Sequence, residues 1–276
     1  MRRKVLLITG ANGFLAHAVV RQLHVDWQLV ALVRTGTSSK SDFQITHESV
    51  ESLVSEFSHI DIVMHLAACI PTPLDAESAE LIPVNVDLVA KLANVYPDAR
   101  HVLASSVSVF GVPQSLPLTL DTHPNHPSAY GKSKLAAEKI VRQMSNHAVI
   151  RFSSLIGVGM KSGSFIPAII SAAQEGEIRL FGSGDRLQNY LDIEDAALMC
   201  ARAAECNRSF IALGVGERSY SNKEVASILG SLTGASIVHE GYDCSPSFVY
   251  DFQEAMDIGK RYISLRESLE KMVHKT

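Results

Sequence analysis

The sequence predicts an α/β protein: a Rossmann-type, doubly wound parallel sheet with a smaller, interleaved C-terminal substrate-binding lobe. Three observations carry that prediction. Short apolar runs alternate with helix-length periodic segments through the first half of the chain, the rhythm of β-α-β units. The runs are apolar throughout rather than on alternate residues, as strands covered on both faces are. A glycine-rich turn directly follows the first run.

In order, the predicted strands are Val5–Thr9, Leu29–Val33, Ile60–Leu66, Val102–Ser105 and Val149–Phe152. Between them the predicted helices are Phe14–Leu23, Val50–Phe57, Leu81–Val95 and Ala129–Met144. After about residue 153 the rhythm loosens, with glycine-rich turns at Gly157–Gly163 and Gly182–Gly184. An αβ stretch over Ser221–Ile237 and a helix near Leu265–Val273 follow. The expected division assigns 1–153 and 185–208 to the dinucleotide-binding domain, and 154–184 and 209–276 to the lobe.

Composition narrows the function. The 276 residues carry a net charge of -4 with no basic tract, which argues against nucleic acid as a partner. Cys69, Cys200, Cys206 and Cys244 are scattered without metal or disulfide spacing, as in reduced, cytoplasmic proteins. The basic start is followed by only four apolar residues, too few for a leader or a membrane span. His123 and His126 lack a third ligand, so no metal site is assigned.

Thr9-Gly10-Ala11-Asn12-Gly13-Phe14-Leu15-Ala16 reads as a phosphate loop. Gly10 permits a tight turn, Gly13 lets backbone approach a pyrophosphate, and the following helix offers unpaired N–H groups to the anion. Gly10, Asn12, Gly13, Phe14 and Leu15 are therefore candidate cofactor contacts. The second strand ends in Arg34 rather than an acid. An arginine there meets a 2′-phosphate, so NADP(H) is favoured and NAD(H) remains open.

Tyr130 and Lys134 stand four residues apart on a predicted helix, hence on one face. A cation beside a phenol favours its ionised form, and the pair can exchange a proton with an alcohol or carbonyl. Upstream, Ala104-Ser105-Ser106-Val107-Ser108-Val109-Phe110-Gly111 closes a strand at the edge where ligands bind in such sheets.

Five ordered elements resemble the extended short-chain dehydrogenase/reductase family: the Gly10–Ala16 loop, Asp61–Ala68, Val84-Asn85-Val86, Ser105–Gly111, and the Tyr130/Lys134 helix continuing through Glu138. They span about the first half of the chain. A weaker match follows at Arg151–Ser154 and Tyr190–Ala197. The resemblance implies catalytic roles for Ser106, Tyr130 and Lys134. Tyr130 would pass a proton to the carbonyl as it is reduced, Ser106 would bond the same oxygen, and Lys134 would hold the nicotinamide ribose and depress the Tyr130 pKa. Leu66, Ala67, Ala68 and Phe152 would lie against the cofactor. The helices at Leu81–Val95 and Ala129–Met144 resemble those that pair relatives into homodimers. Asn85 and His65 have equally plain readings as structural residues.

The implied activity is hydride transfer to or from a carbonyl or alcohol, by a keto-sugar reductase or epimerase acting on a nucleotide-linked sugar. Departures keep alternatives open. The Arg-Asp-aromatic pattern that grips a diphosphate in relatives reads Gln188-Asn189-Tyr190, the later Arg-Pro-Gly-Asp reads Glu240–Asp243, and a common Asn is Ser154. An amide does not replace a bidentate guanidinium. Arg186, Arg179 or Arg218 could substitute, and Ser154, Arg186 and Gln188 are taken as substrate candidates. A reductase of a non-sugar ketone or aldehyde, or a non-catalytic dinucleotide sensor, are the competing readings.

Overall fold

The computed structural model describes residues 3–23, 27–34, 45–161 and 163–275. Met1 and Arg2 of the basic start lie outside them. Apolar β-branched runs form β1 (Val5–Thr9), β2 (Gln28–Leu32), a short β3 (Ile45–His47), β4 (Ile62–His65), β5 (Arg100–Ser106) and β6 (His147–Phe152). Helices α1 (Phe14–Gln22), α2 (Val50–Glu56), α3 (Leu88–Val95) and α4 (Ala129–Val141) make the crossovers. The second half keeps alternating: β7 (Ser154–Ile156), α5 (Phe165–Gln174), β8 (Glu177–Phe181), β9 (Leu187–Asp192), α6 (Ile193–Glu205) and β10 (Phe210–Gly214). It ends with β11 (Ser219–Ser221), α7 (Asn222–Thr233), β12 (Ser236–Glu240) and α8 (Leu265–Lys275).

Seven parallel strands form the main sheet in the order β10-β6-β5-β4-β1-β2-β3. The chain winds outward from β1 to β3, then returns to β4 on the other side of β1. That reversal opens a crevice beyond the carboxyl ends of β1 and β4. Alternate residues of β1 feed two separate cores. Leu6 and Ile8 join Met64, Ile150 and Cys200 under α1 and α6, while Val5 and Leu7 join Val63, Leu53 and Leu92 on the opposite face. This two-sided burial is why the strands read as continuous apolar runs.

Two strands redraw the expected division. Residues 209–276 were assigned to the lobe, yet β10 pairs with β6 at the edge of the main sheet. Residues 185–208 were assigned to the main domain, yet β9 pairs with β7 and β11 in a separate three-stranded sheet. Both strands are five or six residues long, and backbone pairing across the sheets, invisible in local composition, decides where each belongs. The lobe is completed by the β8–β12 pair and a core of Ile166, Ile170, Ile178, Val225, Leu229 and Leu269 from α5, α7 and α8. A return segment stitches it back: Met256 N–H donates to the Leu213 carbonyl of β10 at 2.9 Å. Ile263 N–H likewise donates to the buried Asp195 carboxylate at 2.6 Å.

The expected helix over Leu81–Val95 is interrupted by a π turn at Pro83–Asp87 before α3 begins. Asn85 explains it. Its side chain accepts from Cys69 N–H at 2.8 Å and donates to the Cys69 carbonyl at 3.0 Å and the Ser133 hydroxyl at 2.9 Å. An amide drawn into that triangle re-aims the turn, and it ties the loop after β4 to α4. No helix of the described residues is long and apolar enough to cross a membrane.

Candidate active site

The crevice floor is built by two loops packed without spare room. Gly10 has φ +67°, and a Cβ there would lie 2.7 Å from Ala67 Cα, so only glycine fits. Thr9, the last residue of β1, accepts from both Leu66 N–H (3.2 Å) and Ala67 N–H (3.1 Å) through its hydroxyl. Gly13 is the N-cap of α1 with no side-chain cap, and no acid stands in the first turn. The helix N-terminus is thus open to an anion, as a dinucleotide pyrophosphate requires. Asn12 and Gly13 are exposed, Phe14 and Leu15 half-buried, and Leu66, Ala67 and Ala68 border the same loops. These residues fit a nicotinamide dinucleotide. Phe152 does not join them: its ring is 4% exposed and packs in the core, leaving almost no surface for a ligand. Arg34 is exposed at the end of β2, 3.4 Å from Glu80.

The candidate reacting groups come from β5 and α4. Ser106 ends β5, and its hydroxyl accepts from Ser108 N–H and donates to Ser108 Oγ, both at 3.1 Å. Gly131 brings α4 onto that turn, since a Cβ there would lie 2.3 Å from the Ser108 carbonyl oxygen. Ser128 caps α4 by accepting from Gly131 N–H at 3.1 Å. The loop after β4 holds the same end: Asp75 accepts from Ala129 N–H at 2.9 Å and the Leu74 carbonyl from Tyr130 N–H at 3.3 Å. The structure therefore brings Ser106, Tyr130 and Lys134 together, with Lys134 Nζ 5.9 Å from the Tyr130 ring centre.

The expected depression of the Tyr130 pKa by Lys134 is not realised. Burial pushes the phenol up to about 12, opposed by its hydrogen bond with Ser106. Lys134 is itself held down to about 8 by burial, with Glu138 working the other way. Its ammonium donates to the Ala104 carbonyl at 2.9 Å. Desolvation of both groups outweighs their mutual influence. At neutral pH this leaves a protonated phenol, the donor form, beside a charged lysine.

Three features escaped sequence reasoning. Thr9 joins the two crevice loops, and only its place at a strand end before Gly10 hinted at that. Glu138 is 2% exposed and chelates Arg151 at 3.0 and 2.9 Å while accepting from Ser105 at 2.6 Å. Asn189 replaces the familiar acid because it must donate. It accepts from Ser153 Oγ and Gly216 N–H at 2.8 Å and donates to the Gly216 and Arg218 carbonyls at 3.0 and 3.1 Å.

On the lobe side the substrate candidates are held loosely. Gln188 is half-buried and donates to Asn222 at 3.2 Å. Arg186, two residues back and just ahead of β9, donates to the Pro246 carbonyl at 3.2 Å. Ser154 is exposed and stands opposite Tyr190 in the β7–β9 register. Arg218 stacks on Tyr220 at 3.8 Å and pairs with Glu224.

The family model for the NAD dependent epimerase/dehydratase family matches residues 6–213. The chain belongs to this family. As an epimerase/dehydratase family protein it is of the extended short-chain dehydrogenase/reductase type, an NAD-dependent enzyme class. Among curated relatives it is 26% identical over 274 residues to a UDP-glucose 4-epimerase of Lactobacillus helveticus, covering 85% of this chain and 83% of the relative. Its fold is shared with MoeE5 solved with UDP-glucose and NAD, at TM-score 0.82 and 24% identity over 98% and 97% of the two chains. It is also shared with a UDP-N-acetylglucosamine 4-epimerase of Methanobrevibacter ruminantium, at TM-score 0.84 and 18% identity over 99% and 98%.

Proposed function

We propose that the protein is an NAD-dependent epimerase of a nucleotide-linked sugar, acting by oxidation and re-reduction at one sugar carbon. The observation that carries this reading is the convergence of Ser106, Tyr130 and Lys134 beside the dinucleotide loop. The relatives' UDP-sugar substrates support the substrate class.

When bound, NAD supplies the two-electron acceptor and donor. The chain's residues do the rest. The α1 N-terminus, Gly10 and Gly13 hold the pyrophosphate, and Ala67 and Ala68 bound the same crevice. Ser106 donates to the reacting oxygen and stabilises charge that develops there. For the oxidation Tyr130 first gives its own proton to solvent; the phenolate then accepts the alcohol proton, and the phenol so formed returns that proton on re-reduction. Lys134 stays charged beside the phenol, so that the ionised form it passes through has a counter-ion. Arg186, just ahead of β9, replaces the guanidinium absent at Gln188 and reaches for the substrate diphosphate.

Arg34 supports the finer expectation of NADP(H), because its exposed guanidinium can meet a 2′-phosphate. The packing of α3 on α4 leaves Ala90, Ala136 and Ile140 part-exposed, which supports pairing into a homodimer. Sedimentation of the purified chain tests that.

The deciding experiment incubates the NAD-loaded protein with UDP-glucose and with UDP-galactose and follows their interconversion. Interconversion without net change in NADH is expected. Stoichiometric consumption of NADPH with a keto-sugar or simple ketone would instead make the protein a reductase.

A further inference from the structure

β4 and β5 carry a buried pair that the proton transfer above does not use. His65 ends β4 and His101 stands second in β5, on adjacent rungs, since Val63 is opposite His101 and His65 opposite Leu103. Their rings stack at 5.3 Å, and they are 1% and 0% exposed. His65 Nε2 lies 3.0 Å from His101 Nδ1, and His101 Nε2 lies 3.0 Å from the Tyr96 carbonyl oxygen.

These contacts fix both tautomers. A carbonyl oxygen only accepts, so His101 Nε2 carries a hydrogen. Burial keeps His101 neutral, which leaves its Nδ1 an acceptor. His65 Nε2 must then donate. Burial, His101 and Lys134 together keep His65 neutral as well, so its Nδ1 holds a bare lone pair. That atom is shut from solvent and has no hydrogen-bond partner among the described residues. Unpartnered buried acceptors are rare because they are costly.

Lys134 has three N–H donors, and one is spent on the Ala104 carbonyl, next to the residue opposite His65. The charged or titratable groups that act on it are Tyr130 and Glu138 on α4 and His65 on β4. Glu138 favours the lysine's charge, but its oxygens already accept from Ser105 and Arg151.

We infer that the His65–His101 pair is a tautomer lock that offers His65 Nδ1 as an acceptor to the Lys134 ammonium through one bridging water, and so positions that lysine in its charged form. His65 and His101 are positioning residues. The inference rests on Lys134 belonging to the site.

Three variants and one spectrum test it. His65→Leu removes the acceptor. His101→Phe keeps the ring volume but frees His65 to place its hydrogen on Nδ1. His65→Asn restores an amide oxygen near the Nδ1 position. The alkaline limb of turnover moves to lower pH by about one unit in the first two and returns in the third. Should a variant lose turnover, the pH dependence of NADH binding, followed by fluorescence, reads the same shift. Nitrogen-15 spectra of the unliganded wild type show both rings neutral and protonated at Nε2 near pH ~7. A His65 protonated at Nδ1, or limbs that coincide in all three variants while only the melting temperature falls, overturns the lock. Failure of the enzymatic reading is separate, because it appears as wild-type turnover in Tyr130→Phe.

Discussion

Tyr130 and Arg186 are anchored in opposite ways. Tyr130 is 6% exposed, on a helix capped by Ser128, pressed onto the Ser108 turn through Gly131, and held at its first amides by Leu74 and Asp75. Arg186 is part-exposed, and among the described residues its side chain bonds the Pro246 carbonyl alone. Proton transfer tolerates little displacement of the reacting atoms, so its groups sit on rigid elements. A charged phosphate is attracted over a longer range, and a guanidinium on a partly free stem can adjust to it.

The comparison breaks most sharply at Tyr130. Tyr130→Phe should lower turnover by about 10²–10⁴-fold with NAD binding, measured by fluorescence or calorimetry, retained. Wild-type turnover would remove Tyr130 as the acid. Next comes the rigid frame itself. Glu138→Ala leaves the 8%-exposed Arg151 without its bidentate partner, and should cost about 3–5 kcal/mol of stability. Chemical denaturation reads this, and a loss under about 1 kcal/mol would mean that water reaches the pair.

At the loose end the expected effects are smaller. Arg186→Ala should raise KM for a UDP-sugar about tenfold, near 1.4 kcal/mol, with kcat nearly unchanged. An unaltered KM would pass the phosphate to Arg218 or Arg179. Arg34→Ala should reduce NADP affinity a few-fold, about 1 kcal/mol, and spare NAD; equal NAD and NADP affinities in the wild type would remove the NADP expectation. The pH dependence sharpens the rigid end again. Lys134, held down to about 8, is charged below that value and neutral above it. Turnover that needs the ammonium therefore falls as pH rises through about 8, and a profile flat across that value would exclude the requirement.

The placement of the candidate reacting residues was legible because its determinants are local. Gly10, Ser106, Tyr130 and Lys134 each sit at a strand end or on a helix face that apolar periodicity and turn chemistry mark. What stayed hidden depends on contacts between distant segments. Glu138 meets Arg151 across 13 residues and Asn189 meets Gly216 across 27, and neither leaves a local pattern. β9 and β10 were placed in the wrong layers for the same reason: strands of their length look alike wherever they pair. The resemblance puts Phe152 against the cofactor, but side-chain alternation turns it into the core. Lys134 was expected to lower the Tyr130 pKa, and spacing alone does not reveal that both groups are desolvated.

The return segment from Met256 to Ile263 has a consequence for how such a protein changes its substrate. By bonding to β10 and to Asp195 at the start of α6, it makes the lobe a loop closed at both ends on the main sheet. Such a lobe is not a cassette to be cut out and exchanged whole, because removing it strips bonds from β10, the edge strand of the sheet, and from α6. If the lobe binds substrate as proposed, new preferences arise by residue replacement within it, near Arg186 and Gln188, while the sheet stays as it is.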